Sequence, residues 1–140
     1  FKADKEIMKV IDDSRAVVII LAGYLRILSP EFIEKYLGKI LNIHPSLLPK
    51  FKGLNTHQRA IDAAEKIHGA SVHFVTEELD GGPIIAQSSV EIDSTDNAKS
   101  LASKVLNIEH VLYPKTIRWY TQGRIKLIGD NSVQLDGQII

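Results

Sequence analysis

The chain has 140 residues, with 17 lysines and arginines against 17 aspartates and glutamates, and no cysteine. That length suits one domain with a real core, the charge balance offers no basic excess to a nucleic acid, and the lack of cysteine excludes disulfides and thiolate metal sites. The most apolar run, residues 16–23, is far too short to cross a bilayer, so neither a membrane nor a nucleic acid is an expected partner.

Residues 4–13 carry Ile7, Val10 and Ile11 at helical spacing. Residues 16–23 form a continuous β-branched run bounded by polar residues and Gly23, which predicts a strand covered on both faces. Ser29, Pro30 and Glu31 then supply an N-cap, a first-turn proline and a first-turn acid. The helix they open presents Phe32, Ile33, Tyr36 and Leu37, and Gly38 suits its C-terminal cap. Residues 39–43 are a second short apolar strand. A helix, a buried strand, a helix and another buried strand predict a parallel sheet in an α/β domain. Residues 70–79 and 83–92, joined by Asp80-Gly81-Gly82-Pro83, read as an antiparallel pair added at the sheet edge. A long helix from about Thr95 carries Leu101, Val105, Ile108, Leu112 and Trp119, with Pro114 a predicted kink and Gly123 a stop. Turn signals at 129–131 and at Asp136-Gly137 predict two short strands in the tail. No repeat or linker divides the chain, so residues 1–140 are expected to be one domain.

The polar residues at the end of the second strand raise a chemical question. Side chains at i and i+2 leave a strand on one side, so Asn42 and His44 emerge together while Ile43 faces the other way. Pro45 cannot donate to a ladder and should end the strand. That puts the pair at the carboxyl end of a parallel strand, where open α/β sheets hold ligands. Asn supplies a fixed donor and His a mobile proton, which suits a reaction that develops an oxyanion. The bland alternative, a polar strand end satisfied by backbone, stays open at this point. Asp80 heads a Gly-Gly-Pro turn that can bring a carboxylate close to another loop, and a carboxylate beside an imidazole favours its cationic form. A simple turn is the competing reading. His57 reads as a helix-surface residue and His68 as a loop residue. Ser71 and His73 alternate on a strand that could line the cleft, and His110 gains no role. No metal-binding spacing such as HExxH occurs among the histidines.

Residues 21–33 (LAGYLRILSPEFI), 41–61 (LNIHPSLLPKFKGLNTHQRAI), 68–87 (HGASVHFVTEELDGGPIIAQ) and 107–114 (NIEHVLYP) together resemble the folate-dependent formyltransferases of purine synthesis, the phosphoribosylglycinamide formyltransferase family. The likeness covers almost the entire chain. It implies a Rossmann-like open sheet, parallel strands followed by an antiparallel extension, with helices on both faces. It implies a cytoplasmic enzyme that moves a formyl group from 10-formyltetrahydrofolate, as co-substrate, to the amine of glycinamide ribonucleotide, with no metal. The family pattern makes Asn42, His44 and Asp80 the catalytic set. It places Leu25, Arg26, Ile27 and Leu28, with Asn42, at the folate pocket, and Glu109 at the substrate's glycinamide end.

The chain opens at Phe1 and not Met, so a fragment is expected. The family's first strand and Gly-rich turn hold the substrate phosphate on backbone amides, and no such segment precedes Phe1. Roughly 60 residues are therefore expected to be absent, at about 30 per strand–helix unit; the chain is then the C-terminal portion of a formyltransferase domain. Such a fragment should bind the nucleotide poorly and associate through uncovered edges, as a homo-oligomer or with the missing segment. The alternatives are a formyltetrahydrofolate hydrolase, which shares the Asn-x-His and the Asp but usually shows a second His and a Phe where this chain has Pro45 and Leu47, and a non-catalytic folate-binding fragment. Methionyl-tRNA formyltransferase fits less, for want of a basic tRNA-binding extension.

Overall fold

The computed structural model describes residues 2–14, 18–22, 28–129 and 131–140. Its elements run α1 (Lys2–Ser14), β1 (Ile19–Ala22), α2 (Pro30–Lys35), β2 (Ile40–His44), α3 (Thr56–Asp62), β3 (Ile67–Phe74), β4 (Ile84–Glu91), α4 (Ala98–Thr121), β5 (Ile125–Ile128), β6 (Ser132–Leu135) and β7 (Gln138–Ile139). The main sheet has the order β1-β2-β3-β4. β1 and β2 are parallel, and β3 and β4 extend the sheet antiparallel, as the sequence pattern predicts.

Local chemistry explains the element starts. The Ser29 side chain accepts from the Phe32 N–H at 3.1 Å, capping α2, whose first residue is Pro30. Asn97 and Ser100 form a reciprocal capping box at the start of α4, which then runs through Pro114 to Thr121. Neither Pro114 nor the short α3, whose cap Asn55 makes no side-chain cap bond, prevents the helices from forming; packing decides.

Two apolar clusters cover the two faces of the sheet. Leu41, Ile43, Ala70, Val72 and Phe74 pack against Leu101, Val105 and Leu112 of α4. On the other face Ile40 joins Met8, Leu28, Phe32, Ile33 and Tyr36 from α1, α2 and the residues flanking α2. Since Ile40 shares its face with positions 42 and 44, Asn42 and His44 continue the α1/α2 face where the apolar cluster stops.

Three sequence expectations need correction. The helix α2 ends at Lys35 with Tyr36 as its C-cap, short of Leu37 and Gly38. The tail holds three short strands rather than two, forming their own sheet β5-β6-β7. The extra strand follows the two-residue turn Asp136-Gly137, both at positive φ (51° and 85°), the pair that a tight hairpin favours; a two-residue strand leaves no periodicity to read. His68 lies in β3, 1% exposed, and not in a loop.

Candidate functional site

Asn42 and His44 sit at the end of β2, facing His73 and Ser71 of β3 in register. Four polar side chains therefore share one sheet face, and His44, Ser71 and His73 are buried there. Buried polar groups must find partners, and most of theirs come from the segment between β2 and α3. Ser71 Oγ donates to the Ser46 carbonyl at 2.7 Å, and accepts from the Leu48 N–H at 3.0 Å and from Gln87 Nε2 at 2.9 Å. Ser46 Oγ donates to the Lys50 carbonyl at 2.6 Å, and Thr56 Oγ1 to the Pro45 carbonyl at 2.5 Å. Arg59 Nη1 donates to the carbonyls of Lys52 and Leu54. So tied, the loop turns the Phe51 carbonyl oxygen to 2.8 Å from His44 Nε2.

The loop after β3 supplies the carboxylate. A Cβ on Gly82 would lie 1.8 Å from the Phe74 carbonyl oxygen, so only glycine lets this loop fold back on the end of β3. The Phe74 N–H donates to the Pro83 carbonyl at 3.0 Å and locks the return. Asp80 itself has φ +50°, a left-handed conformation that Asp tolerates better than most residues. Its side chain is 9% exposed, with Oδ2 3.5 Å from His44 Nδ1 and Oδ1 4.0 Å from His73 Nε2. The Gly53 N–H donates to the same Oδ2 at 2.9 Å, so the carboxylate is desolvated but not orphaned.

The sequence-predicted set Asn42, His44 and Asp80 thus converges. Both nitrogens of His44 face acceptors, a carbonyl on one side and a carboxylate on the other. Asn42 Nδ2 lies 3.4 Å from His73 Nε2, and its Oδ1 is buried with no hydrogen-bond partner among the described residues.

Burial lowers the pKa of three neighbouring histidines. Burial chiefly, with the charges of His57 and His44, pushes the His68 ring down to about 4. His57 is lowered chiefly by burial, and its Nδ1 is 3.1 Å from His68 Nε2. His73 is likewise lowered by burial, which outweighs the Phe74 carbonyl and Asp80.

Leu28 is buried in the α1/α2 cluster, while Leu25, Arg26 and Ile27 lie outside the described residues. Glu109 is half-buried on α4, and burial raises its carboxyl above the usual range; no described contact joins it to Asn42, His44 or Asp80. A cavity of about 650 Å³ lies beside the loop that carries Asp80, lined by Ile33, Glu34 and Leu37 on one side, by Thr76, Glu77, Glu78, Gly81 and Pro83 on the other, and by Asn131. Among the described residues no cluster of three His, Asp or Glu side chains is placed to hold a metal, and no helix is long and apolar enough to cross a membrane. Two parts of the site were missed in the sequence, the Phe51 carbonyl and the Gly53 N–H. They are backbone groups, and only the glycine hints at its position.

Comparison with known proteins adds the family. Residues 2–117 match the formyl transferase family. The chain is 47% identical over 135 residues to phosphoribosylglycinamide formyltransferase of Escherichia coli, covering 96% of this chain and 63% of that protein. It is 43% identical to the solved structure of phosphoribosylglycinamide formyltransferase from Coxiella burnetii, with a TM-score of 0.93 over 98% of this chain and 64% of the other. A formyltetrahydrofolate deformylase of Corynebacterium is more distant, 37% identical over 96% of this chain and 47% of its own length. The chain therefore spans less than two thirds of the relatives it resembles.

Proposed function

The chain belongs to the formyl transferase family, and from that premise we propose that the protein transfers a formyl group from 10-formyltetrahydrofolate to the amine of glycinamide ribonucleotide, in purine biosynthesis. The observation that carries this reading is His44 held between the Asp80 carboxylate and the Phe51 carbonyl, on the face it shares with Asn42. On the same reading the protein is cytoplasmic, and its partners are small molecules.

The chemistry follows from the donors. The acceptor amine attacks the formyl carbon, a carbon–nitrogen bond forms, and the carbonyl oxygen becomes an oxyanion. An N–H of Asn42 and an N–H of His44 are the groups suited to meet it. One such donor is worth about 10²- to 10³-fold in rate. His44 Nε2–H is engaged with the Phe51 carbonyl, so the oxyanion takes that carbonyl's place as a stronger acceptor. When the intermediate collapses, the carbon–nitrogen bond to the folate breaks. The departing nitrogen takes a proton from His44, and the proton lost by the amine returns to the ring, whose Nδ1 lies 3.5 Å from the Asp80 carboxylate. Asp80 is anchored by Gly53 and by the Gly82 turn, so its place beside the ring needs little reorganisation.

The donor molecule is a co-substrate carrying a flat, amine-bearing heterocycle. The cavity beside the Asp80 loop falls within the size range of small-molecule sites, with apolar Ile33 and Leu37 against Glu77 and Glu78. Leu25 to Leu28 and Glu109 are assigned to the folate and glycinamide ends by the family pattern.

The test is a turnover assay of the full-length protein with 10-formyltetrahydrofolate and, in turn, glycinamide ribonucleotide, water alone, and initiator tRNA. Formylated glycinamide ribonucleotide supports the reading. Formate release that is independent of any acceptor would make the protein a deformylase and overturn it.

A further inference from the structure

Asn42 and His73 are directly opposed on β2 and β3. His73 is 2% exposed, and its Nδ1 lies 2.9 Å from the Phe74 carbonyl oxygen. A carbonyl can only accept, so Nδ1 carries the ring proton. The groups facing this ring are Asn42, the Phe74 carbonyl and Asp80, with His44 close enough to repel a positive charge. Asp80 and the carbonyl favour a second proton; burial and His44 disfavour it, and burial is the largest influence. The neutral ring then presents a bare Nε2 to Asn42.

That choice constrains the amide. A side-chain amide can turn either its oxygen or its nitrogen toward a neighbour, but a bare ring nitrogen admits only the N–H. Asn42 Nδ2 accordingly donates to His73 Nε2 at 3.4 Å. Among the described residues its Oδ1 is left buried without a partner, which is costly for a polar group. If His73 instead carried a proton on Nε2, the amide would turn over, give Oδ1 that donor, and carry Nδ2 away.

Building on the reading above, we propose that His73 is a positioning residue: its Nδ1-protonated ring fixes the orientation of the Asn42 amide, holding Nδ2 in place so that its second N–H meets the oxyanion. No atom of His73 needs to touch the substrate. Its effect is exerted through Asn42, and it falls on the chemical step rather than on binding.

The test has two arms on the full-length protein. In the first, ¹⁵N NMR of His73 near about pH 7 reads the tautomer. The expected result is a neutral ring protonated at Nδ1, with an Nε2 signal that shifts in Asn42→Ala. A ring protonated at Nε2, or an Nε2 signal indifferent to Asn42→Ala, overturns the proposal whether or not the protein proves to be a formyltransferase. In the second, His73→Leu removes the acceptor and His73→Gln restores one on a side chain of similar reach. His73→Leu should lower kcat about 10- to 100-fold with KM nearly unchanged, the scale of a misplaced catalytic group. His73→Gln should recover most of that loss. Wild-type kcat in His73→Leu, or losses in His73→Gln as large as in His73→Leu, contradict the assignment. Absence of formyl transfer in the unmodified protein would sink the function proposed above and leave the NMR arm to decide this one.

Discussion

The two faces of strands β2 and β3 are almost equally buried and do different work. On one face Leu41, Val72 and Phe74, each 0% exposed, pack against α4. On the other Ser71, His73 and His44, at 0%, 2% and 6%, meet carbonyls, carboxylate and amide groups instead. Burial therefore does not separate the site from the core. The separation is in what each buried atom touches. The apolar face is interchangeable in chemistry and strict in volume, whereas the polar face is strict in donors and acceptors.

That contrast can be broken from either side. The largest effect is expected from His44→Ala in the full-length protein: formyl transfer should fall by about 10³- to 10⁴-fold, since an oxyanion donor and a proton carrier leave together. Affinity for a folate analogue should persist, which equilibrium titration can check. On the opposite face Leu101→Ala should cost about 2–5 kcal/mol of stability, read from urea midpoints, while the folded fraction keeps its turnover number. Loss of turnover out of proportion to unfolding would mean that the two faces are not separable.

A third, smaller effect concerns pH. The His68 ring is held down to about 4 in the fold against an ordinary 6.5. Between those values the unfolded chain binds the proton and the folded chain does not, so stability must fall as pH drops through about 6.5 and level off below about 4. His57, lowered for the same reason, acts in the same direction. The full span is worth about 3 kcal/mol at most. Urea midpoints at about pH 7 and about pH 4.5 should show the loss, and His68→Gln should remove most of the slope; an equal slope in the variant would contradict this origin. The smallest effect is Asn97→Ala, which removes one cap of α4 and should lower stability by about 1 kcal/mol without changing turnover.

Much of this arrangement was legible in the residues themselves. Ser29 and Pro30 announce α2, Pro45 ends β2, and the i, i+2 rule puts Asn42 and His44 on one side. The Gly81-Gly82 pair marks a tight return, though the reason for Gly82, a close approach to the Phe74 carbonyl, depends on how the loop packs. Register was not legible. That Asn42 faces His73 depends on how β2 and β3 align, and neither strand carries a local signal that fixes this. His68 was misread because Lys66 and Gly69 flank it with loop-like chemistry, while its burial comes from strand pairing and from contact with Phe51 and His57. The Phe51 carbonyl, the partner that shapes His44 most closely, has no sequence signature at all.

In the proposed mechanism Asp80 acts through the His44 ring that it faces. The most direct measurement is a double-mutant cycle in formyl transfer on the full-length protein, with His44→Ala, Asp80→Asn and both together. Asp80→Asn keeps the side chain's shape and its acceptor for the Gly53 N–H while removing the negative charge beside the His44 ring. Residues acting as one unit lose their effects once, not twice. The double variant should therefore lie within about threefold of His44→Ala. Losses that multiply in full would show that Asp80 and His44 act independently.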